Sequence, residues 1–438
     1  MQLFIDKHLR FIKYCLYSLP ENCAYLETSR MTILFFSIAS IRMLDKLDSI
    51  NDMKDEIIQW IMSLRIMSDS KGINNKYCGF TGSNYLRTSD EETQCKIQKG
   101  DSDYVRIKCK DPGILFSDEN SCSHITMTLS ALLSLVILCD NKKITRDTND
   151  NKEQDDYDVI NYLNKNLKQL LPSLIAPPSN ARINGADLLD KEAILVGLSN
   201  LQNIDGSFRP TVHEGESDLR FVYCASAICH LLDDWSHIDA SQMISFIMSC
   251  KSYEGGFGQV PGAESHGGST FCAVASLKLA GKLHLITDNQ EIKENLLRWC
   301  MFRQQQCQSL NANSDIILCS GFNGRPNKDA DSCYSFWIGS TLKILGCLSH
   351  INVEANQTFL LNVSQDLRKG GFKKAINVYS AVIETVLLYI DNNDYKDPLH
   401  TFLSLSALTM FSHLQDSKYL SPSLAQLTDI QPALMLPF

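Results

Sequence analysis

Between Gly321 and Trp337 the chain places Arg325, Lys328, Asp331, Cys333 and Tyr334 just ahead of an apolar helical run. A carboxylate and a thiol this close suggest a metal, and the adjacent arginine and lysine suggest an anionic ligand such as phosphate. Asp331 and Cys333 would point apart on a regular helix. At a helix start they can converge, with Asp331 as the N-cap and Cys333 in a first turn whose dipole favours a thiolate. Zinc accepts oxygen, sulfur and nitrogen donors together. The candidate third ligand is His400, in Asp397-Pro-Leu-His400, near the start of another apolar helix. Three protein ligands leave the fourth position open, as in catalytic zinc sites. The alternative is that Asp331 and His400 only cap helices and Cys333 is a small buried apolar residue.

A second cluster is Glu264-Ser-His266-Gly-Gly-Ser269, again before a helix. Its glycines would expose backbone N–H groups to an anion, and His266 would add a donor. With Arg325, Lys328 and Tyr334 it would clamp a departing diphosphate. The alternative is a set of solvated loop charges. Few reactions need a thiol-binding metal and a diphosphate clamp at once; alkylation of a thiol by a prenyl diphosphate is one.

These residues need a scaffold that repeats. Turns with Gly and Phe recur at Cys78-Gly-Phe80, Asp205-Gly-Ser-Phe208, Glu254-Gly-Gly-Phe257, Gly321-Phe322 and Gly370-Gly-Phe372. Helical periodicity precedes them at 54–64, 191–202, 241–250, 292–305 and 356–367, and follows them at 124–138, 219–232, 269–280, 331–345 and 398–411. A longer helix is expected over 26–47, and strand-like alternation is rare. The helices after the turns are the more apolar, which suits an inner layer covered by an outer one. The fold expected is all-α, a closed α-α barrel or toroid of helical hairpins forming one domain over 1–438. Phe35, Phe36, Phe221, Tyr223, Phe271, Phe336 and Trp337 would then be core or line a central apolar cavity. Insertions are expected near 84–116, 141–180, 306–320 and 375–390. The second carries the acidic run 147–158 and reads as a solvated loop. The last is apolar and does not fit the repeat.

Bulk properties narrow the classes. Among 438 residues the net charge is −9, which argues against a general nucleic-acid surface. Sixteen cysteines occur without a CxxC pair, as expected of a cytoplasmic chain with reduced thiols. Residues 1–20 read as an amphipathic helix and not a signal peptide, and no apolar run is long enough for a membrane span. The absence of an aspartate-rich DxDD-like motif counts against a terpene cyclase.

The segments Leu26-Glu-Thr-Ser-Arg-Met-Thr32, Arg220-Phe-Val-Tyr-Cys224, Glu264 to Cys272 and Asn323 to Trp337 resemble the β subunits of protein prenyltransferases, nearest to the type I geranylgeranyl enzymes acting on C-terminal CaaX motifs. The resemblance runs from about Leu26 to His400. It implies Asp331, Cys333 and His400 as zinc ligands holding the substrate thiolate, and His266, Arg325, Lys328 and Tyr334 as diphosphate contacts. Thr32 matches a position where the farnesyl enzyme has Trp, so a small residue there would deepen the cavity for a twenty-carbon chain. Phe36, Arg220, Cys224 and Trp337 match further lipid or peptide positions. His124, Phe221 and Leu399 match the pocket for the last peptide residue, usually Leu. Lys374 matches a lysine standing where the farnesyl enzyme has a magnesium-binding Asp, so no Mg2+ is expected. The implied partners are a prenyltransferase α subunit in a heterodimer, geranylgeranyl diphosphate, and CaaX proteins such as Rho-family small GTPases.

Three rival readings remain: a farnesyltransferase β subunit, a Rab geranylgeranyltransferase β subunit, or a non-catalytic toroid scaffold. The scaffold reading applies if the metal and anion residues are coincidental, or if the inserts disable the zinc site, as when the segment 375–390 cannot loop out and keeps His400 away.

Overall fold

The computed structural model describes residues 2–19, 26–67, 77–83, 96–99, 105–108, 115–116, 123–139, 163–165, 189–213, 215–310, 316–374, 396–413 and 422–437. It divides into two compact units. One comprises Met1–Tyr14, Ala39–Lys46 and Phe246–Phe438; the other comprises Cys15–Ile38 and Leu47–Ser245.

The described elements are mainly helices. The longer ones are α1 (Ile5–Tyr17), α2 (Arg30–Met43), α3 (Lys54–Ser63), α4 (Ile125–Leu138), α5 (Lys191–Ser199), α6 (Leu219–Leu231), α7 (Ala240–Ser249), α8 (Gly267–Leu279), α9 (Gln290–Met301), α10 (Tyr334–Ile344), α11 (Val353–Phe359) and α12 (Pro398–Ser412). The helix expected over 26–47 is shorter, opening with a 3-10 turn before α2. The helix expected over 356–367 also differs: α11 starts earlier and passes into a π-helical turn, Leu360–Ser364.

The apolar contrast between helices is realised as layering. Every residue of α12 except Leu399 is buried, and α4 is buried nearly throughout. By contrast α9 buries only Leu296, Trp299 and Cys300. In the first unit α10 packs between α8 and α12.

The Gly-Phe turns are built alike. Phe80, Phe208, Phe257, Phe322 and Phe372 are all fully buried, each ring contributing on the order of 3 kcal/mol. The N–H groups of Phe80, Phe257 and Phe372 donate across 3.0 Å to the hydroxyls of Thr128, Thr270 and Thr401. Each threonine lies one turn into the following helix, so the hydrogen bond fixes that helix start against its own turn. Glycine is required where the next helix crosses. A Cβ on Gly255 (φ +104°) would lie 2.5 Å from the Asn295 carbonyl of α9. One on Gly370 (φ +78°) would lie 2.2 Å from the Lys7 carbonyl of α1. The N-terminal helix thus stands against the last turn as α9 stands against an earlier one.

Strands are more common than the sequence suggested. In the second unit β1 (Arg65–Met67) lies between β2 (Gly79–Phe80), antiparallel to it, and β5 (Leu115–Phe116), parallel to it; β3 (Lys96–Lys99) pairs antiparallel with β4 (Val105–Lys108). Part of the segment expected as an insertion over 84–116 is therefore strand. The described parts of the segment 306–320 belong to a hairpin of β6 (Gln304–Leu310) and β7 (Ile316–Phe322), in register from Gln304↔Phe322 to Leu310↔Ile316. The strand replaces the C-terminal end of the helix expected over 292–305.

The solvated loop expected over 141–180 is corrected at 163–165. Leu163 and Asn164 are buried, and the Asn164 side chain bonds both the N–H and the carbonyl of Leu189. The acidic run 147–158 and the apolar segment 375–390 lie outside the described residues. The chain flanking the latter is closed by an antiparallel bridge between Lys373 and Lys396.

Candidate metal and anion site

Three adjacent helix starts build the site, all in the first unit. Asp331 is placed by its N–H donating 2.9 Å to the Phe322 carbonyl. Ser332 is tied to the last Gly-Phe turn, its N–H donating to the Lys374 carbonyl and its hydroxyl to the Lys373 carbonyl, each at 2.8 Å. Cys333, and not Asp331, is the N-cap of α10; Asp331 Oδ1 accepts the Cys333 N–H at 2.9 Å. His400 arrives on the first turn of α12, whose N-cap Asp397 accepts the His400 N–H at 2.9 Å. Bridging Lys373 to Lys396 brings α12 back beside the turn despite the long intervening sequence.

The result is compact and shielded. One donor atom each from Asp331, Cys333 and His400 lies within 4.8 Å of the others, and all three residues are buried. His400 Nε2 is 3.4 Å from Asp331 Oδ1, while its Nδ1 is 2.6 Å from Asp397 Oδ2. Burial opposes a charge on His400, but the bonds to Asp331 and Asp397 outweigh it and raise its pKa to about 9. Burial, and then the Asp331 carboxylate, push the Cys333 thiol well up; the Lys374 ammonium acts the other way. A buried thiol beside a carboxylate resists ionising unless a cation sits between them. A carboxylate, a thiol and an imidazole nitrogen in reach of one point are a donor set that suits zinc.

The anion residues lie on neighbouring helix starts. His266 is the N-cap of α8, its Nδ1 accepting the Gly268 N–H at 3.1 Å. In the neutral ring the proton then sits on Nε2, which meets the Tyr334 hydroxyl at 2.9 Å. The Tyr334 hydroxyl hydrogen is left to donate elsewhere. Burial raises the Tyr334 pKa, keeping that proton on, and burial lowers that of His266. A Cβ on Gly324 would lie within 2.4 Å of the Tyr334 Oη, so the bare backbone there makes room for the phenol.

One expectation is corrected. The glycine N–H groups of α8 do not face open space: Gly267 donates to the Gly324 carbonyl at 2.8 Å and Gly268 to His266. The cations remain. Arg325 is exposed and paired at 2.8 Å with Glu264 Oε2; the side chains of Lys328 and Lys374 are exposed.

The other named residues are distributed between the units. In the second, Thr32 Oγ1 meets Ser130 Oγ at 3.1 Å, and Phe36, half-buried, follows one turn later on α2. His124 caps α4 and lies edge-on to Phe221, 6.3 Å between centroids. Cys224 is buried 3.7 Å from Thr126 Oγ1, and burial lifts its thiol to about 12. Arg220 is exposed, paired with Asp218 and Glu216. In the first unit Trp337 packs on Phe271 at 5.0 Å and on Phe336, while Leu399 is exposed.

Comparison with known proteins places this arrangement. The family model of the prenyltransferase alpha-alpha toroid domain matches residues 3–436. The chain belongs to that family. It is similar to the geranylgeranyl transferase type-1 subunit beta of Arabidopsis thaliana, 30% identical over 84% of this chain and 79% of the relative. It is also similar to that of Dictyostelium discoideum, 28% identical over 96% of this chain and 94% of the relative. Among solved structures it resembles Candida albicans protein geranylgeranyltransferase-I complexed with GGPP, with a TM-score of 0.68, 23% identity, and coverage of 100% of this chain and 96% of that one. The all-α toroid expected from the repeats is thus the fold of the family.

Residues not singled out from sequence complete the site within this prenyltransferase fold. Asp397 orients His400, and its only signal was its place three residues ahead in a capping position. Glu264 neutralises Arg325. Ser332 carries the last turn. His8 of α1 is the least legible: it stacks on Phe372 at 4.8 Å, accepts the Gly371 N–H and bonds Gln365. No described helix is long and apolar enough to cross a membrane.

Proposed function

We propose that this chain is the catalytic β subunit of a heterodimeric protein geranylgeranyltransferase type I, transferring a geranylgeranyl group from geranylgeranyl diphosphate to the cysteine of C-terminal CaaX motifs, with Leu favoured as the last residue. The carrying observation is the convergence of Asp331, Cys333 and His400 one helix start away from the His266–Tyr334 pair, in a chain whose full-length relatives bear the type-1 β subunit name.

Asp331, Cys333 and His400 would hold zinc, which when bound supplies a Lewis acid able to keep a coordinated thiol ionised near neutral pH. Asp397 holds His400 so that Nε2, not Nδ1, faces Asp331. Arg325, Lys328 and Lys374 place positive charge at the exposed edge of the same helix starts, where a diphosphate belongs. His266 donates from Nε2 to Tyr334, and Tyr334 in turn donates to the diphosphate. As the substrate sulfur bonds C1 of the isoprenoid, the C1–O bond breaks and its electron pair leaves with the diphosphate. These donors stabilise that charge. Lys374 takes the electrostatic part that a magnesium ion would otherwise take. Thr32, small and directed at Ser130, leaves length for a twenty-carbon chain. The partner is a prenyltransferase α subunit, and the protein substrates include CaaX proteins such as Rho-family small GTPases.

The deciding test is donor competition. The chain is co-expressed with a prenyltransferase α subunit and given equal farnesyl and geranylgeranyl diphosphate with a Leu-ended CaaX peptide. Predominant geranylgeranylation without added magnesium is expected. Predominant farnesylation, or transfer only to a Rab substrate, overturns the assignment.

A further inference from the structure

Cys307 and Cys319 are directly opposed across the β6–β7 hairpin. Opposed Cα atoms of antiparallel strands stand roughly 4.5–5.5 Å apart, within the span a disulfide bridges, and their side chains leave the sheet on one face. The Cys319 Sγ donates to the Cys307 carbonyl oxygen at 3.6 Å, and the Cys307 Sγ to the Gln305 carbonyl oxygen at 3.6 Å. The two differ in access. Cys319 is buried, whereas Cys307 is half-buried and is the sole described cysteine that is not buried. Their acidity differs in the same sense: the facing Cys319 thiol lowers the pKa of Cys307, while Cys307 and burial raise that of Cys319. A reachable, acidic thiol backed by a shielded one is the arrangement of an attacking and a resolving cysteine.

We propose that Cys307 and Cys319 are a reversible thiol–disulfide site, oxidised by low-molecular-weight disulfides such as oxidised glutathione. The Cys307 thiolate attacks one glutathione sulfur, and a glutathione thiolate leaves. Cys319 then gives its proton to solvent, and its sulfur displaces the second glutathione thiolate from Cys307. Two protein thiols lose two electrons and two protons; one glutathione disulfide becomes two glutathione thiols. The new bond ties β7 to β6 three rungs from the Gln304↔Phe322 end. β7 leads directly into the loop bearing Arg325 and Lys328, whose ends are pinned by Asn323 N–H to the Arg303 carbonyl and Asp331 N–H to the Phe322 carbonyl. The site is therefore a covalent lock on the strand that enters the anion loop. It stands whether or not the lipid-transfer reading does.

The test uses the full-length folded chain with oxidised glutathione, acid quench, alkylation and peptide mass spectrometry. A Cys307–Cys319 cross-linked peptide is expected as the main oxidised product, lost on dithiothreitol treatment. Cys319→Ala should trap glutathione on Cys307, and Cys307→Ser should abolish both products. Glutathione persisting on Cys307 in the unmutated chain, or a cross-link forming only in urea, overturns the proposal. Should Cys319→Ala fail to fold, the reaction rate of Cys307 with a monofunctional alkylator decides. Reaction much faster than that of the buried thiols at pH 7 supports the attacking role; reaction no faster than theirs rejects it.

Discussion

His400 Nδ1 sits 2.6 Å from Asp397 Oδ2, and this single contact decides which imidazole nitrogen faces Asp331 and Cys333. The other Asp397 oxygen caps α12 through the His400 N–H. Asp397→Asn keeps a capping side chain but removes the charge that steadies the ring. Zinc affinity is expected to fall about 10- to 100-fold with little change in unfolding midpoint. A chelator-competition titration measures it; unchanged affinity would show that Asp397 only caps.

Glu264 and Arg325 are both 45% exposed, so their ion pair contributes less than about 1 kcal/mol. It nevertheless occupies the cation that a diphosphate needs. Glu264→Gln is expected to tighten binding of inorganic diphosphate by up to about fivefold at low salt, the gain shrinking as salt rises. Calorimetric titration of the complete enzyme reads this directly. Weaker binding after the substitution would mean that Glu264 positions Arg325 and does not compete for it.

The legible parts of this chain were those set by local chemistry. The Gly-Phe turns announce themselves because only glycine tolerates the close carbonyl at Gly255 and Gly370, and because a buried ring must follow. Asp331, Cys333 and His400 were readable because their types share one chemistry. Other features depend on partners distant in sequence. His8 meets Gln365 and Gly371, more than 350 positions away, and nothing near His8 signals it. The β6–β7 hairpin escaped because its strands interrupt a helical pattern, and Gln304 to Gln306 carry no apolar alternation. The glycines of α8 misled for a related reason: backbone N–H groups at a helix start suggest an anion only until a neighbouring carbonyl, here that of Gly324, takes one.

Thr401 holds the Phe372 N–H at 3.0 Å, both residues being buried, and it does so one residue from His400. Thr401→Val keeps the shape and leaves that N–H without its acceptor. A loss of about 1–3 kcal/mol in urea unfolding is expected. Thr401→Ser, which keeps the hydroxyl, should recover most of it. Equal losses for both variants would assign the effect to the missing methyl group and not to the hydrogen bond.

His8 supplies the pH dependence. The side chain is fully buried, and burial pushes its pKa from 6.5 to about 4, with the Gln365 bond opposing. The folded state therefore prefers the neutral ring, whose Nδ1 accepts the Gly371 N–H. Between pH 6.5 and about 4 the unfolded chain binds the proton and the folded chain does not. Stability thus falls with pH across that window and levels off below it, by about 3 kcal/mol in total. His124, also depressed to about 4 by burial, adds a loss of the same sign. His8→Asn removes one titrating group while an amide oxygen can still accept the Gly371 N–H, so the difference in unfolding free energy between pH 7 and pH 5 should shrink by roughly half. Urea titrations of both proteins at the two pH values measure it. An undiminished difference would place the acid sensitivity in other groups and remove α1 from the account.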